Sequence, residues 1–86
     1  MSSSPTYNVK LSAGDMVMVT LLDSIELYDR PPRPERFAEL IATSMLKNGQ
    51  TAMVISLDTN DARCVYIVGP SGTGWTFGAF LKRVDV

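Results

Sequence analysis

The sequence predicts an all-β fold, a small barrel of about five strands with one short helix in the loop after the first strand. Short apolar runs rich in Val and Ile alternate with clusters of Gly, Pro, Asn and Asp, a pattern typical of antiparallel strands joined by tight turns. The chain has 86 residues, of which 45% are hydrophobic and 20% charged, enough for one modest core. We therefore expect a flexible Ser-rich N-terminal arm over residues 1–8 and one domain over residues 9–86.

The first strand is predicted over residues 16–22, directly after a turn at Gly14-Asp15. Side chains alternate between the two faces of a strand. The two alternating sets are Val17, Val19 and Leu21 on one face, and Met16, Met18, Thr20 and Leu22 on the other. If the valine face fills the interior, Met16 and Met18 lie outside and form a candidate partner or self-association surface. The alternative is that the predicted helix or the N-terminal arm covers them.

The loop after this strand is proline-rich, and a helix is predicted to follow it. Residues 25–29 add a short extended stretch before the prolines in 30–34, which remove backbone donors. The Pro-x-x-Pro spacing of Pro31 to Pro34 suits another protein's groove, but a stiff loop is the favoured interpretation. From Pro34 to Thr43 the pattern favours a helix, with Phe37, Leu40 and Ile41 on one face.

The second half alternates strands and turns more regularly. Strands are predicted over residues 50–57, 63–68 and 75–80, with a closing stretch over 81–84. The turns between them are predicted at Lys47-Asn48-Gly49, at 58–61 and at 69–74.

Several kinds of chemistry lack the residues they need. Histidine is absent and Cys64 is the single cysteine, so neither a zinc site nor an internal disulfide is expected, and Cys64 is interpreted as a small buried hydrophobe. The 58–61 stretch lacks the spacing of a calcium loop. Trp75 follows the 69–74 glycines where a phosphate-binding loop requires lysine. We expect no metal, no cofactor and no catalytic residues.

Charge and hydropathy limit the partners. Eight Lys and Arg against nine Asp and Glu give a net charge of −1, which disfavours nucleic acid as a partner. The sequence carries no signal-peptide pattern and no apolar run long enough to cross a bilayer, so a cytoplasmic or virion-associated protein is expected, with no membrane contact.

The second half resembles bacterial SH3-like domains. The residues that carry the resemblance are Leu46-Lys47-Asn48-Gly49-Gln50-Thr51, Val65-Tyr66-Ile67-Val68, Gly72-Thr73-Gly74-Trp75 and Phe80-Leu81, and Glu26-Leu27-Tyr28-Asp29 is similar to a stretch of eukaryotic SH3 domains. The resemblance implies an SH3-like barrel, with Gly74 in a tight distal turn and Trp75 as an apolar plate at the barrel end. It also implies a short helical turn at Ala79-Phe80-Leu81 before the last strand.

The function predicted from these observations is a non-enzymatic protein-binding or assembly module. Its candidate contact residues are an aromatic end, formed by Tyr28, Tyr66, Trp75, Phe77 and Phe80, and the Met16/Met18 strand face. The alternative is a small structural subunit of a larger complex such as a phage particle. A third interpretation is an enzyme whose active site forms only at the centre of an oligomer. The sequence contains no stretch that matches the active site of such enzymes.

Overall fold

The computed structural model describes residues 10–84, and within them the fold is all-β, as predicted. The predicted arm over residues 1–8 lies outside the described residues, as does the side chain of Phe37 on the predicted helix. The strands are β1 (Met16–Val19), β2 (Ser24–Tyr28), β3 (Ala42–Lys47), β4 (Thr51–Leu57), β5 (Cys64–Gly69), β6 (Gly72–Phe77) and β7 (Leu81–Arg83).

The prediction of a five-stranded barrel with one helix is wrong. The seven strands form one open antiparallel sheet in the order β3-β2-β6-β5-β4-β1-β7. The apolar core lies on one face of the sheet, called the inner face, where buried residues of neighbouring strands are paired. The buried apolar residues are Leu11, Val17, Val19, Ile25, Leu27, Leu46, Ala52, Val54, Val65, Ile67 and Leu81.

The predicted first strand ends three residues early, at Val19. From Val19 onwards, backbone carbonyls accept hydrogen bonds from the 47–50 turn instead of from a neighbouring strand. Gly49 N–H donates to the Val19 carbonyl, and the Asn48 side-chain amide donates to the Leu22 carbonyl. The chain therefore leaves the sheet after Val19. Leu21, predicted to fill the interior, is 68% exposed.

The predicted helix over residues 34–43 is also wrong. A 3₁₀ helix covers Pro34–Glu39 only, and the chain is extended again as β3 from Ala42. The reason lies in Asp29 at the end of β2. Its backbone N–H donates to the Ile41 carbonyl at 2.9 Å, and its carboxylate accepts from Ile41 N–H at 3.2 Å. These two bonds hold Ile41 beside β2, where it cannot continue a helix.

The turns of the second half are tighter than predicted. Gly49 takes a φ of 84°, which only glycine adopts at little cost, and closes the β3–β4 turn. The predicted turn over residues 69–74 shrinks to Pro70-Ser71 between paired Gly69 and Gly72. The predicted helical turn before the last strand is confirmed as a 3₁₀ turn at Gly78–Phe80.

Gly74 has a different role from the distal turn predicted for it. It lies within β6 on the inner face, where the β2–β3 hairpin packs across the strand. A Cβ built on Gly74 would lie 2.5 Å from the Cβ of Leu27 and 2.8 Å from Oγ1 of Thr43. A Cβ on Gly72 would similarly lie 3.2 Å from Oγ of Ser44. Glycine at these positions lets the hairpin approach β6 closely.

Candidate protein-binding face

The outer surface of the sheet brings together most of the predicted contact residues. Across β1, β4 and β5, Met16 lies opposite Met53, and Met53 lies opposite Val68. These side chains alternate with the buried residues of the inner face, so they point outwards. We define the outer face as the surface formed by Met16, Met18, Met53, Ile55, Val68, Tyr66, Trp75 and Tyr28.

The aromatic part of the outer face is a row across β5, β6 and β2. Tyr66 lies opposite Trp75, and Trp75 lies opposite Tyr28. The rings of Tyr66 and Trp75 are 5.2 Å apart between centroids and tilted by 52°. The Tyr66 hydroxyl donates a hydrogen bond to Oγ1 of Thr73 at 2.9 Å, which satisfies its polar end. The ring contact with Trp75 and the hydrogen bond to Thr73 therefore hold the Tyr66 side chain in place within the row.

The methionines on β1 occupy the side of the strand predicted for them. Val17 and Val19 are fully buried, whereas Met16 and Met18 are half-buried. Met53 is 39% exposed and Ile55 is 42% exposed beside them on β4. The result is a partly solvent-exposed patch of flexible apolar side chains continuous with the aromatic row.

Phe77 and Phe80 belong to a different place. Their rings meet edge to face with centroids 5.9 Å apart, at the end of the sheet where the 3₁₀ turn follows β6. Phe77 also lines a cleft of about 1050 Å³ together with Leu11, Pro32 and Lys10. The aromatic residues predicted from sequence therefore divide into the Tyr66–Trp75–Tyr28 row and the Phe77–Phe80 pair at the end of the sheet, of which Phe77 also lines the cleft.

Two ion pairs lie beside the cleft. Nη2 of Arg33 lies 2.8 Å from Oδ2 of Asp58, and Arg63 donates to both carboxylate oxygens of Asp61 at 2.9 and 2.8 Å. The hydrogen bond from Arg63 lowers the pKa of Asp61 to about 2, and the one from Arg33 lowers the pKa of Asp58. Carboxylates held ionised in this way are poor general acids and weak bases.

Cys64 is buried, as predicted. Its thiol donates to the Pro32 carbonyl at 3.4 Å, and burial raises its pKa above the ordinary thiol value. Burial and the raised pKa both disfavour the thiolate form that nucleophilic attack and metal binding require. Pro32 is itself fully buried against this end of the sheet, which supports the stiff-loop interpretation of Pro31 to Pro34.

The part of the outer face that sequence reasoning missed is its centre, Met53, Ile55 and Val68. The signal was present in residues 50–57, where both alternating sets of β4 are largely apolar, as they are in β1. Strands with two apolar faces belong either between two layers or on a surface that meets a partner. Only the cross-strand register shows that these two strands, β1 and β4, are neighbours in the sheet.

Within residues 10–84 no helix is long and apolar enough to cross a membrane, and no three His, Cys, Asp or Glu side chains are grouped to hold a metal ion. Comparison with known proteins found no match to a protein family, to a curated protein or to a solved structure.

Proposed function

We propose that this chain is a non-enzymatic protein-binding or assembly module whose contact surface is the outer face. The observation that carries the proposal is the register that joins the Met16–Met53–Val68 row to the Tyr66–Trp75–Tyr28 row on one side of the sheet. We retain the likeness to bacterial SH3-like domains as part of this proposal for residues 46–81. The β4–β5 hairpin and the 3₁₀ turn before β7 support it.

The composition of the outer face suits recognition of another protein. Tyr and Trp supply large contact areas at low entropic cost and dominate binding energy at protein interfaces. Methionine adapts its shape to irregular apolar partners. Two methionines are half-buried and Met53 is more exposed, so burying them against a partner would remove apolar surface from water.

The test compares capture of binding partners from a cell lysate by four immobilised proteins. These are the unaltered chain, Met53→Lys, Trp75→Ala, and the control Leu21→Lys, which places the same charge on an exposed loop off the outer face. We expect the unaltered chain and the loop variant to retain the same protein, and both outer-face variants to lose it. Far-UV circular dichroism checks that all four are folded. Equal capture by all four proteins, or no capture by any, would contradict the proposal.

The second candidate function is a structural subunit of a larger assembly. It is favoured by β1, which is apolar on both faces and sits beside Met53 on the outer face. In this case the outer face meets further copies of the chain, and light scattering would show a mass that grows with concentration. Met53→Lys would then abolish the growth, whereas a binding module would show no growth through this face.

A further inference from the structure

The two edges of the open sheet differ in how well they are protected. The β7 edge has only three residues, two of which are the cations Lys82 and Arg83. Short, charged edges resist pairing with other strands. The β3 edge has six residues, contains no proline, and carries Met45 at 41% exposure. It is the edge at which another strand can add.

The hydrogen bonds at the end of β3 show which backbone groups face outwards. Asn48 N–H donates to the Asp23 carbonyl on the β2 side, whereas Lys47 N–H donates to the Gln50 side chain. Because N–H groups alternate from side to side along a strand, the N–H and carbonyl of Met45 point away from β2. They are a donor and an acceptor for an added strand.

The charges along β3 favour a second copy in antiparallel orientation. Lys47 at the end of the strand and Glu39, three residues before its start, are both exposed, and neither forms an ion pair with another described side chain. An antiparallel pair brings Lys47 of each copy to the Glu39 end of the other. A parallel pair would set Lys47 against Lys47 and is disfavoured.

We propose that β3 pairs with β3 of a second copy across a twofold axis, joining two seven-stranded sheets edge to edge. The contact is isologous, so each favourable interaction occurs twice. It uses the backbone of β3 and leaves the outer face of both copies open, so it does not depend on the function proposed for that face.

The test is the solution mass, measured by light scattering behind size exclusion over a range of protein concentrations. We expect a monomer–dimer equilibrium. Met45→Pro removes the outward N–H at a position where an edge strand tolerates proline, and should raise the dissociation constant by about tenfold or more. Leu21→Lys is the control, since it alters an exposed side chain in the loop after β1, outside both β3 and the outer face, and should leave the dimer intact.

Charge reversal tests the twofold and the orientation. Lys47→Glu and Glu39→Lys should each weaken the dimer by about threefold to tenfold, and the double variant should recover most of the loss because the pair re-forms in both copies. A monomer at every concentration, a dimer unaffected by Met45→Pro, or a double variant weaker than either single one would each overturn the proposal. Loss of the dimer by Met53→Lys alone would move self-association to the outer face and overturn it as well.

Discussion

Replacing Gly74 by alanine tests the close packing of the β2–β3 hairpin against β6. The added Cβ would lie 2.5 Å from the Cβ of Leu27 and 3.0 Å from its carbonyl carbon. Both atoms are fixed to the backbone, so no rotamer change relieves the contact and the hairpin itself must shift. Overpacking of this kind costs about 3 kcal/mol, and the reduced entropy of the unfolded chain offsets about 1 kcal/mol of it.

The net loss of about 2 kcal/mol is large for a domain of this size, whose total stability is on the order of 5–10 kcal/mol. It corresponds to a fall in Tm of roughly 8–16 °C. Urea unfolding followed by Trp75 fluorescence and by circular dichroism measures it. Gly78→Ala is the control, because a Cβ there meets nothing nearer than Cδ1 of Leu11 at 3.4 Å. Wild-type stability of Gly74→Ala would refute the packing argument, as would an equal loss in the control.

Two further predictions concern the charged loop and the buried thiol. The lowered pKa values of Asp58 and Asp61 stabilise the fold above the ordinary carboxyl pKa near 4, so this stabilisation should be lost as pH falls towards about 2. Urea midpoints between these pH values measure the loss, and Asp61→Asn should flatten the profile; an unchanged profile would contradict the assignment. The Cys64 thiol is buried with a raised pKa, so it should react with a disulfide reagent far more slowly in the native protein than in denaturant. Equal rates in the two states would contradict its burial.

Strands β4 and β5 could be predicted from sequence because their signals are local, whereas the strand predicted over residues 75–80 forms three residues earlier, as β6. In β4 and β5 the apolar alternation and the flanking turn residues agree with one another, and both strands form within about one residue of their predicted bounds. The burial of Cys64 followed from its place in an equally apolar strand, and the 3₁₀ turn at Gly78–Phe80 lies one residue before the turn that the resemblance implied. At these positions the conformation favoured by the neighbouring residues in the sequence is also the one that the tertiary contacts require.

The first half failed where long-range contacts override local preference. The pattern around Leu40 and Ile41 is helical, yet the hydrogen bonds of Ile41 to Asp29 extend the chain, and Leu46 is buried opposite Ile25. The five-stranded barrel was wrong for the same reason, because the single β2–β6 pair of Tyr28 with Trp75, which joins the first half to the second in one sheet, leaves no trace in the sequence.

The outer face was predicted only in part. Its methionine side was predicted from the alternation of residues 16–22 and its aromatic end from the barrel-like pattern, but as two separate surfaces. Met53 and Val68, which connect them, became visible only through the register of β1, β4 and β5. Phe77 and Phe80 were grouped with the other aromatic residues, while the structure pairs their rings at the end of β6, where Phe77 also lines the cleft.

Gly72 and Gly74, on the inner side of β6, also limit which substitutions this fold tolerates. A descendant that gains a side chain at the position of Gly74 must hold its β2–β3 hairpin farther from β6, because the Cβ of Leu27 already occupies the space. Moving the hairpin also moves Tyr28 away from Trp75, the one residue pair that joins the two strands. The lack of a side chain at Gly74 on the inner face thus constrains the pairing of Tyr28 with Trp75 on the outer face. Substitutions at position 74 and in this aromatic pair are therefore expected to occur together.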